Sequence, residues 1–176
     1  VAHSNMAHLS TPSVSTCDLC DRFKSDDSGA FRVLPPIFAS FGGLRAFAGR
    51  VSTVKCFEDN AVVKAALDEP GEGRVLVVDG GGSLRRALVG GNLAAAAVTN
   101  GWTGLVVDGC VRDLAELAVA ELGIRALSVI PMPTIKRGEG QRDVVVQLRG
   151  VMVRPGDWLY ADDDGIVLST SAIHSA

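Results

Sequence analysis

Histidine and the large aromatic residues are scarce in this chain. Its 176 residues include one Tyr, two Trp and three His, and the histidines (His3, His8 and His174) sit near the ends. A histidine-centred metal cage or a His-based catalytic dyad inside the domain therefore lacks its raw material. Excess positive charge is missing too. Seventeen Lys and Arg face 20 Asp and Glu, a net charge of −3, which leaves no basic footprint for direct nucleic-acid binding. No apolar run approaches the roughly 18 residues of a membrane span. The longest, residues 93–98, is alanine-rich and reads as helix. The first residues have neither a basic start nor an apolar middle, so no secretory leader is read there.

Cysteines are few: Cys17, Cys20, Cys56 and Cys110. "CDLC" has the spacing of a redox or zinc half-site, but no second Cys/His pair completes it. Free thiols in a reducing cytosol are the simpler reading, and they place the protein in the cytoplasm.

What the chain does have is apolar mass. With 47% apolar and 21% charged residues, one domain of this length buries about 70% of its unfolded surface. Residues 1–15 read as a tag remnant ("VAHSN" before Met6) and a flexible lead, and 16–176 as a single domain. Twenty glycines and seven prolines punctuate short apolar runs, the mark of strands and tight turns. Thr16 is the expected N-cap of a first helix. "VLPPIF" is excluded from helix interior by its paired prolines, and "FGGLRAFAGRVSTVKCF" alternates at period two, giving one or two strands.

"EDNAVVKAALDE" reads as helix, ending at Pro70-Gly71. "RVLVVDGGGS" and "GLVVDG" read as strands buried on both faces. Between them Gly90-Gly91-Asn92 opens a helix that Asn100-Gly101 closes, and "VRDLAELAVAELG" supplies the next. Strand-helix-strand-helix order implies parallel strands with right-handed crossovers. The later runs "IRALSVI", "VVVQLRG", "VMVRPGDWLYAD" and "GIVLS" add an antiparallel β portion. The fold class is α/β.

Twice a β-branched run stops on Asp-Gly, at "VVDGGGS" (77–83) and "VVDGCVRD" (106–113). In parallel sheets ligands bind beyond the carboxyl ends of strands. Asp79, Asp108, Arg112 and Asp113 are placed there. Arg112 offers a planar fork for a carboxylate. Asp113 is a hard oxygen ligand for a divalent cation such as Mg²⁺. The turn Gly90-Gly91-Asn92-Leu93 adds backbone N–H groups at a helix mouth, an anion site. The set suits a 2-oxo acid whose carbonyl a metal polarises. Plainer readings stand beside these: Asp79-Gly80 as turn chemistry, and Arg112-Asp113 as a helix-start pair. "GGGS" lacks the Gly-Lys-Ser/Thr of a phosphate loop. "YADDDGI" reads as a solvated turn without calcium-loop spacing.

"FGG…FAGRVSTVKCFEDN", "GRVLVVDGGGSLRRALVG", "GWTGLVVDGCVRD" and "GDWLYADDDGI" together resemble the RraA family, named for a regulator of ribonuclease E activity. The resemblance runs over about residues 17–168. It implies an RraA-like α/β sandwich of the swivelling β/β/α, phosphohistidine-domain-like type. It also implies a homotrimer or dimer of trimers, with the site in a cleft between subunits.

The family includes divalent-metal-dependent (Mg²⁺ or Mn²⁺) 4-hydroxy-4-methyl-2-oxoglutarate aldolases that also decarboxylate oxaloacetate. In that branch an Arg holds pyruvate and the adjacent Asp binds the metal. The matching positions are Arg112 and Asp113, with Gly90, Gly91, Asn92 and Leu93 as the substrate-binding loop. The other implied function is non-catalytic: binding and inhibiting a ribonuclease E-type partner. One departure bears on the choice. The aldolase pattern has an acid 21 residues before the Arg, and here that position is Gly91. Asn92, Asp79, Asp108 or an acid of a neighbouring subunit are the candidates to compensate.

Overall fold

The computed structural model describes residues 13–174. Most of the expected tag remnant and lead, with His3 and His8, lies outside the described residues. Val14 already packs against the first helix and its strands, and Ser15 caps that helix by accepting from Asp18 N–H at 3.2 Å. The N-cap is thus Ser15 and not Thr16, whose own side chain is turned elsewhere.

Along the chain come α1 (Thr16–Phe23), β1 (Phe31–Val33), β2 (Ala39–Ser40), β3 (Phe47–Lys55) and α2 (Ala61–Leu67). They are followed by β4 (Val75–Asp79), β5 (Ala87–Val89), α3 (Gly91–Thr99), β6 (Gly104–Val111) and α4 (Leu114–Val119). The rest is β: β7 (Gly123–Val129), β8 (Gln141–Arg142), β9 (Val146–Leu148), β10 (Val151–Val153), β11 (Trp158–Asp162) and β12 (Gly165–Ser169).

The main sheet runs β1-β12-β11-β3-β4-β6-β7-β2, with β5 beside the end of β6 and β8 beside β3. Pairings β3-β4, β4-β6, β6-β7 and β5-β6 are parallel, while β1-β12, β12-β11 and β11-β3 are antiparallel. Strand β3 belongs to both halves: Phe47 to Arg50 pair with β11, and Val51 to Lys55 with β4. The sheet curls at that strand and folds back on itself.

Alternation in β4 explains its continuous apolar run. Leu76 and Val78 face α2, α3 and α4, packing with Val63, Leu67, Ala97 and Leu117. Val75 and Val77 face the opposite way, onto Leu148, Val153, Leu159 and Leu168 of the folded-back β portion. Side chains at period two thus serve two cores from one strand. Helix α1 closes the outer face through Leu19 on Ala48, Tyr160 and Val167. The β/β/α stack matches the expected sandwich.

Two sequence readings are corrected. Asp108-Gly109 is not a turn: β6 runs on to Val111, because β5 pairs with Cys110 and Val111 where β4 has ended. The register irregularity between Val107 and Cys110 marks this change of neighbour. Asp162 of "YADDDGI" is not a solvated acid either. Its carboxylate accepts from Thr16 N–H at 2.8 Å and Thr16 Oγ1–H at 2.6 Å, pinning the start of α1.

Candidate active site

The end of β6 is built to present two side chains. Arg112 leaves the strand with its N–H donating to Val89 O at 2.9 Å, which ties it to the end of β5. Its guanidinium reaches Pro131 O at 3.4 Å and remains 41% exposed. Asp113 follows in the left-handed region, φ 62° and ψ 50°. Aspartate tolerates that conformation better than most residues, yet a non-glycine residue there carries strain that clusters at functional sites. The twist turns the Asp113 side chain away from α4, the helix it precedes, to which it makes no capping bond.

The Asp113 carboxylate crosses instead to the neighbouring helix. Oδ2 accepts from the N–H of Gly91, first residue of α3, at 2.9 Å, and lies 3.9 Å from Arg112 Nε. A negative group at this end of α3 is favoured by the helix dipole. Space explains the glycine before it. A Cβ on Gly90 would lie 2.6 Å from Asp113 Oδ2 and 3.3 Å from Arg112 Nε, so the bare backbone admits both side chains. The next N–H groups, of Asn92 and Leu93, are first-turn donors with no helical acceptor. Asn92 is exposed and Leu93 half-buried against the helix-side core. Arg112, Asp113, Gly90, Gly91 and the first turn of α3 therefore come together.

Asp79 and Asp108 do not join them. Adjacent in register across β4 and β6, they are committed elsewhere. Asp79 Oδ1 accepts from Gly81 N–H at 3.0 Å, the turn role. Asp108 pairs with Arg149 Nε at 3.1 Å. Burial pushes the Asp108 carboxyl above its ordinary range, against the pull of that guanidinium. Neither compensates for Gly91.

Glu116, which the sequence reading passed over, does approach. A Cβ on Gly91 would fall 1.5 Å from its Oε2, so the Glu116 carboxylate occupies the space where a residue-91 side chain would begin. The signal was the spacing: Asp113 and Glu116 stand three apart at a helix start, one turn and one face.

All four cysteines are free, and burial pushes the Cys56 thiol up to about 12, far from a thiolate nucleophile. Among the described residues no three His, Cys, Asp or Glu side chains gather as a ready-made metal cage. A hard cation needs less, since Mg²⁺ binds through one or two carboxylates and keeps several waters. Asp113 fits that use: Oδ2 is anchored, and Oδ1 makes no protein hydrogen bond among the described residues. A cavity of about 630 Å³ lies at the opposite ends of the strands, lined by Arg50, Ser52, Arg74 and Trp158, and takes no part in this cluster.

A β/β/α domain with an Arg-Asp pair at a parallel strand end, set on a glycine-led helix, defines a small class of α/β proteins. The chain belongs to the RraA-like family: residues 16–168 match the family described as Aldolase/RraA. A protein of Albidiferax ferrireducens, provisionally named 4-hydroxy-4-methyl-2-oxoglutarate aldolase, is 64% identical over 93% of this chain and 99% of its own length. One of Alkalilimnicola ehrlichii with the same name is 56% identical over 93% and 99%. Among solved structures, the RNA-processing inhibitor RraA from Thermus thermophilis superposes with a TM-score of 0.85 at 47% identity, covering 93% of this chain and 98% of that one.

Proposed function

We propose that this protein is a lyase, dependent on Mg²⁺ or Mn²⁺, that cleaves 4-hydroxy-4-methyl-2-oxoglutarate-type acids to pyruvate and decarboxylates oxaloacetate. The observation that carries the reading is the meeting of Arg112, the Asp113 carboxylate and the first turn of α3 over Gly90. The names of the curated relatives point the same way. A non-catalytic role, binding and inhibiting a ribonuclease E-type partner, is the less favoured reading; the Thermus thermophilis neighbour is named as an RNA-processing inhibitor.

Asp113 would hold the cation through its free Oδ1. A bound divalent cation supplies a Lewis acid that polarises the 2-oxo group and stabilises enolate charge. Arg112 would grip the substrate's C1 carboxylate with its planar fork, a charge-assisted and directional contact. The N–H groups of Asn92 and Leu93 add donors and the positive end of α3. Held this way, the 2-oxo acid has the bond between C3 and C4 as the one to break. As the C4 hydroxyl gives up its proton to solvent, the C3–C4 bond breaks, releasing one pyruvate from C4 and leaving the other as its enolate. The enolate then takes up a proton at C3.

Three further parts of the reading are proposals of the same kind. The domain, taken as residues 16–176, assembles as a homotrimer or dimer of trimers, with the open site closed by a neighbouring subunit. Exposed Phe57, Leu84, Met132 and Ile135 are apolar surface available for burial between copies. The protein works in the cytoplasm, in keeping with its free thiols; no helix among the described residues is long and apolar enough to cross a membrane.

The test is pyruvate release, followed by a coupled assay, from oxaloacetate and from 4-hydroxy-4-methyl-2-oxoglutarate. Activity that EDTA abolishes and Mg²⁺ restores is expected. No pyruvate from either substrate in Mg²⁺ or Mn²⁺ would remove the lyase reading.

A further inference from the structure

The two outer strands of the main sheet, β1 and β2, are joined by Leu34 to Phe38, and this connection spans the seam between β12 and β7 where the curled sheet does not close. Beside it lies a cavity of about 250 Å³, lined by Val33, Leu34, Pro35, Phe38, Ile166 and one charged side chain of β7, Arg125.

Arg125 is only 5% exposed. Its Nη2 donates to Arg45 O at 2.8 Å and to Asp162 O at 2.6 Å, which ties β7 to the end of β11. Nε is enclosed with no acceptor, and Nη1 donates to nothing among the described residues. Two carbonyls thus satisfy one nitrogen, and no carboxylate answers the charge. Burial disfavours that charge, yet arginine does not shed its proton in proteins. A buried cation without a counter-ion is costly. The nearby acids are engaged elsewhere. Asp162 is held by Thr16 and Asp163 by Arg45 at 2.7 Å, while Asp164, which also lines the cavity, accepts from the Cys17 thiol.

We propose that this cavity is a second ligand site, for a small monocarboxylic acid with an aliphatic body. The acid's carboxylate accepts from Nη1 of Arg125, and its chain lies against Leu34, Phe38 and Ile166. Apolar walls with one convergent charged group are the usual build of a small-ligand site. The volume falls below the roughly 300–1,000 Å³ of pockets that take drug-sized ligands, so the acid is short. A dianion is disfavoured, since one guanidinium faces it and Asp164 stands beside it. The site shares no residue with the Arg112-Asp113 cluster and does not depend on the lyase reading. Its occupant would bind the connection between β1 and β2 to β7 and β12, and so hold the seam together.

Butyrate is the probe, titrated in EDTA into the assembled protein with labelled Ile, Leu and Val methyl groups. The methyl resonances of Val33, Leu34 and Ile166 should shift; those of Leu93, in the first turn of α3, report the other anion site separately. Butyramide has the same shape without the charge and should bind about tenfold more weakly, because the hydrogen bond loses the charge of one partner. Val33 is 51% exposed at the rim of the cavity, where substitutions cost the fold little. Val33→Glu sets a rival carboxylate near Arg125 and should weaken butyrate severalfold, and Val33→Lys should not weaken it. Arg125→Met, if its circular-dichroism spectrum is that of wild type, should bind butyrate no better than butyramide.

The site is refuted if butyrate leaves the Val33, Leu34 and Ile166 methyls unmoved, or if butyramide binds as well as butyrate. It is refuted equally if Val33→Glu and Val33→Lys bind butyrate alike. No metal and no turnover enter the measurement, so its failure leaves the lyase reading untouched, and a failed pyruvate assay leaves this site standing.

Discussion

The carboxylate of Asp113 caps the wrong helix. It precedes α4 but bonds at 2.9 Å to the first N–H of α3, held across the gap by a left-handed backbone at φ 62°. A residue placed only to start α4 has no reason to adopt this geometry. A residue placed to hold something between two helix mouths does.

Asp113→Asn separates the two roles. Asparagine accepts the left-handed backbone and keeps an oxygen for Gly91 N–H, so the fold should be retained. The charge needed for a divalent cation is gone, and EDTA-sensitive pyruvate release should fall to background. Full oxaloacetate decarboxylation by a folded Asp113→Asn protein would exclude the metal role.

Arg112→Lys probes the carboxylate grip. Lysine keeps the charge but not the planar fork. Oxalate binding in Mg²⁺, measured by calorimetry, should weaken by about 1.5–3 kcal/mol, the range for hydrogen bonds to charged groups. Unchanged affinity would move the carboxylate site away from Arg112.

Acid should unfold the protein through Asp59. Although burial pushes its carboxyl up, the N–H groups of Ala61, Glu139 and Arg137 outweigh this and hold it below the usual range. A depressed carboxylate stabilises the fold above its unfolded value, and that stability is lost as pH falls through the folded one. Asp162 acts in the same direction. Asp108, whose carboxyl is raised, acts in the opposite one, its contribution fading as pH rises. Asp59→Ala should lose about 1.5–3 kcal/mol at neutral pH and flatten the acid limb of a denaturation profile. A wild-type acid limb in this variant would assign the lability elsewhere.

Assembly is checked by light scattering. A trimer mass, or twice that, is expected at micromolar concentration. A monomer mass would leave Phe57, Leu84, Met132 and Ile135 bare and deprive the open site of its closing neighbour.

Much of this was legible in the sequence, for local reasons. Parallel strands announced themselves as apolar runs, and the glycine-led start of α3 and the Arg112-Asp113 pair were placed by their position after strands. What the sequence hid depended on distant partners. Asp108-Gly109 looks like a turn until β5 supplies a strand for Cys110 and Val111 to pair with. Asp162 looks solvated until Thr16, far away in sequence, arrives to be held. Glu116 was passed over because Gly91 was judged as a lost side chain, and the space that its absence opens cannot be read from a string of letters.

The double membership of β3 has a mechanical consequence. One strand carries the hydrogen bonds of the folded-back β portion on its first half and those of the parallel layer on its second. Neither layer can come apart without taking the register of β3 with it, so the two should behave as one cooperative unit. Native-state hydrogen exchange should find the amides of β3, β4 and β11 opening with a common free energy. The floor on which Arg112 and Asp113 stand would then give way only when the whole molecule does.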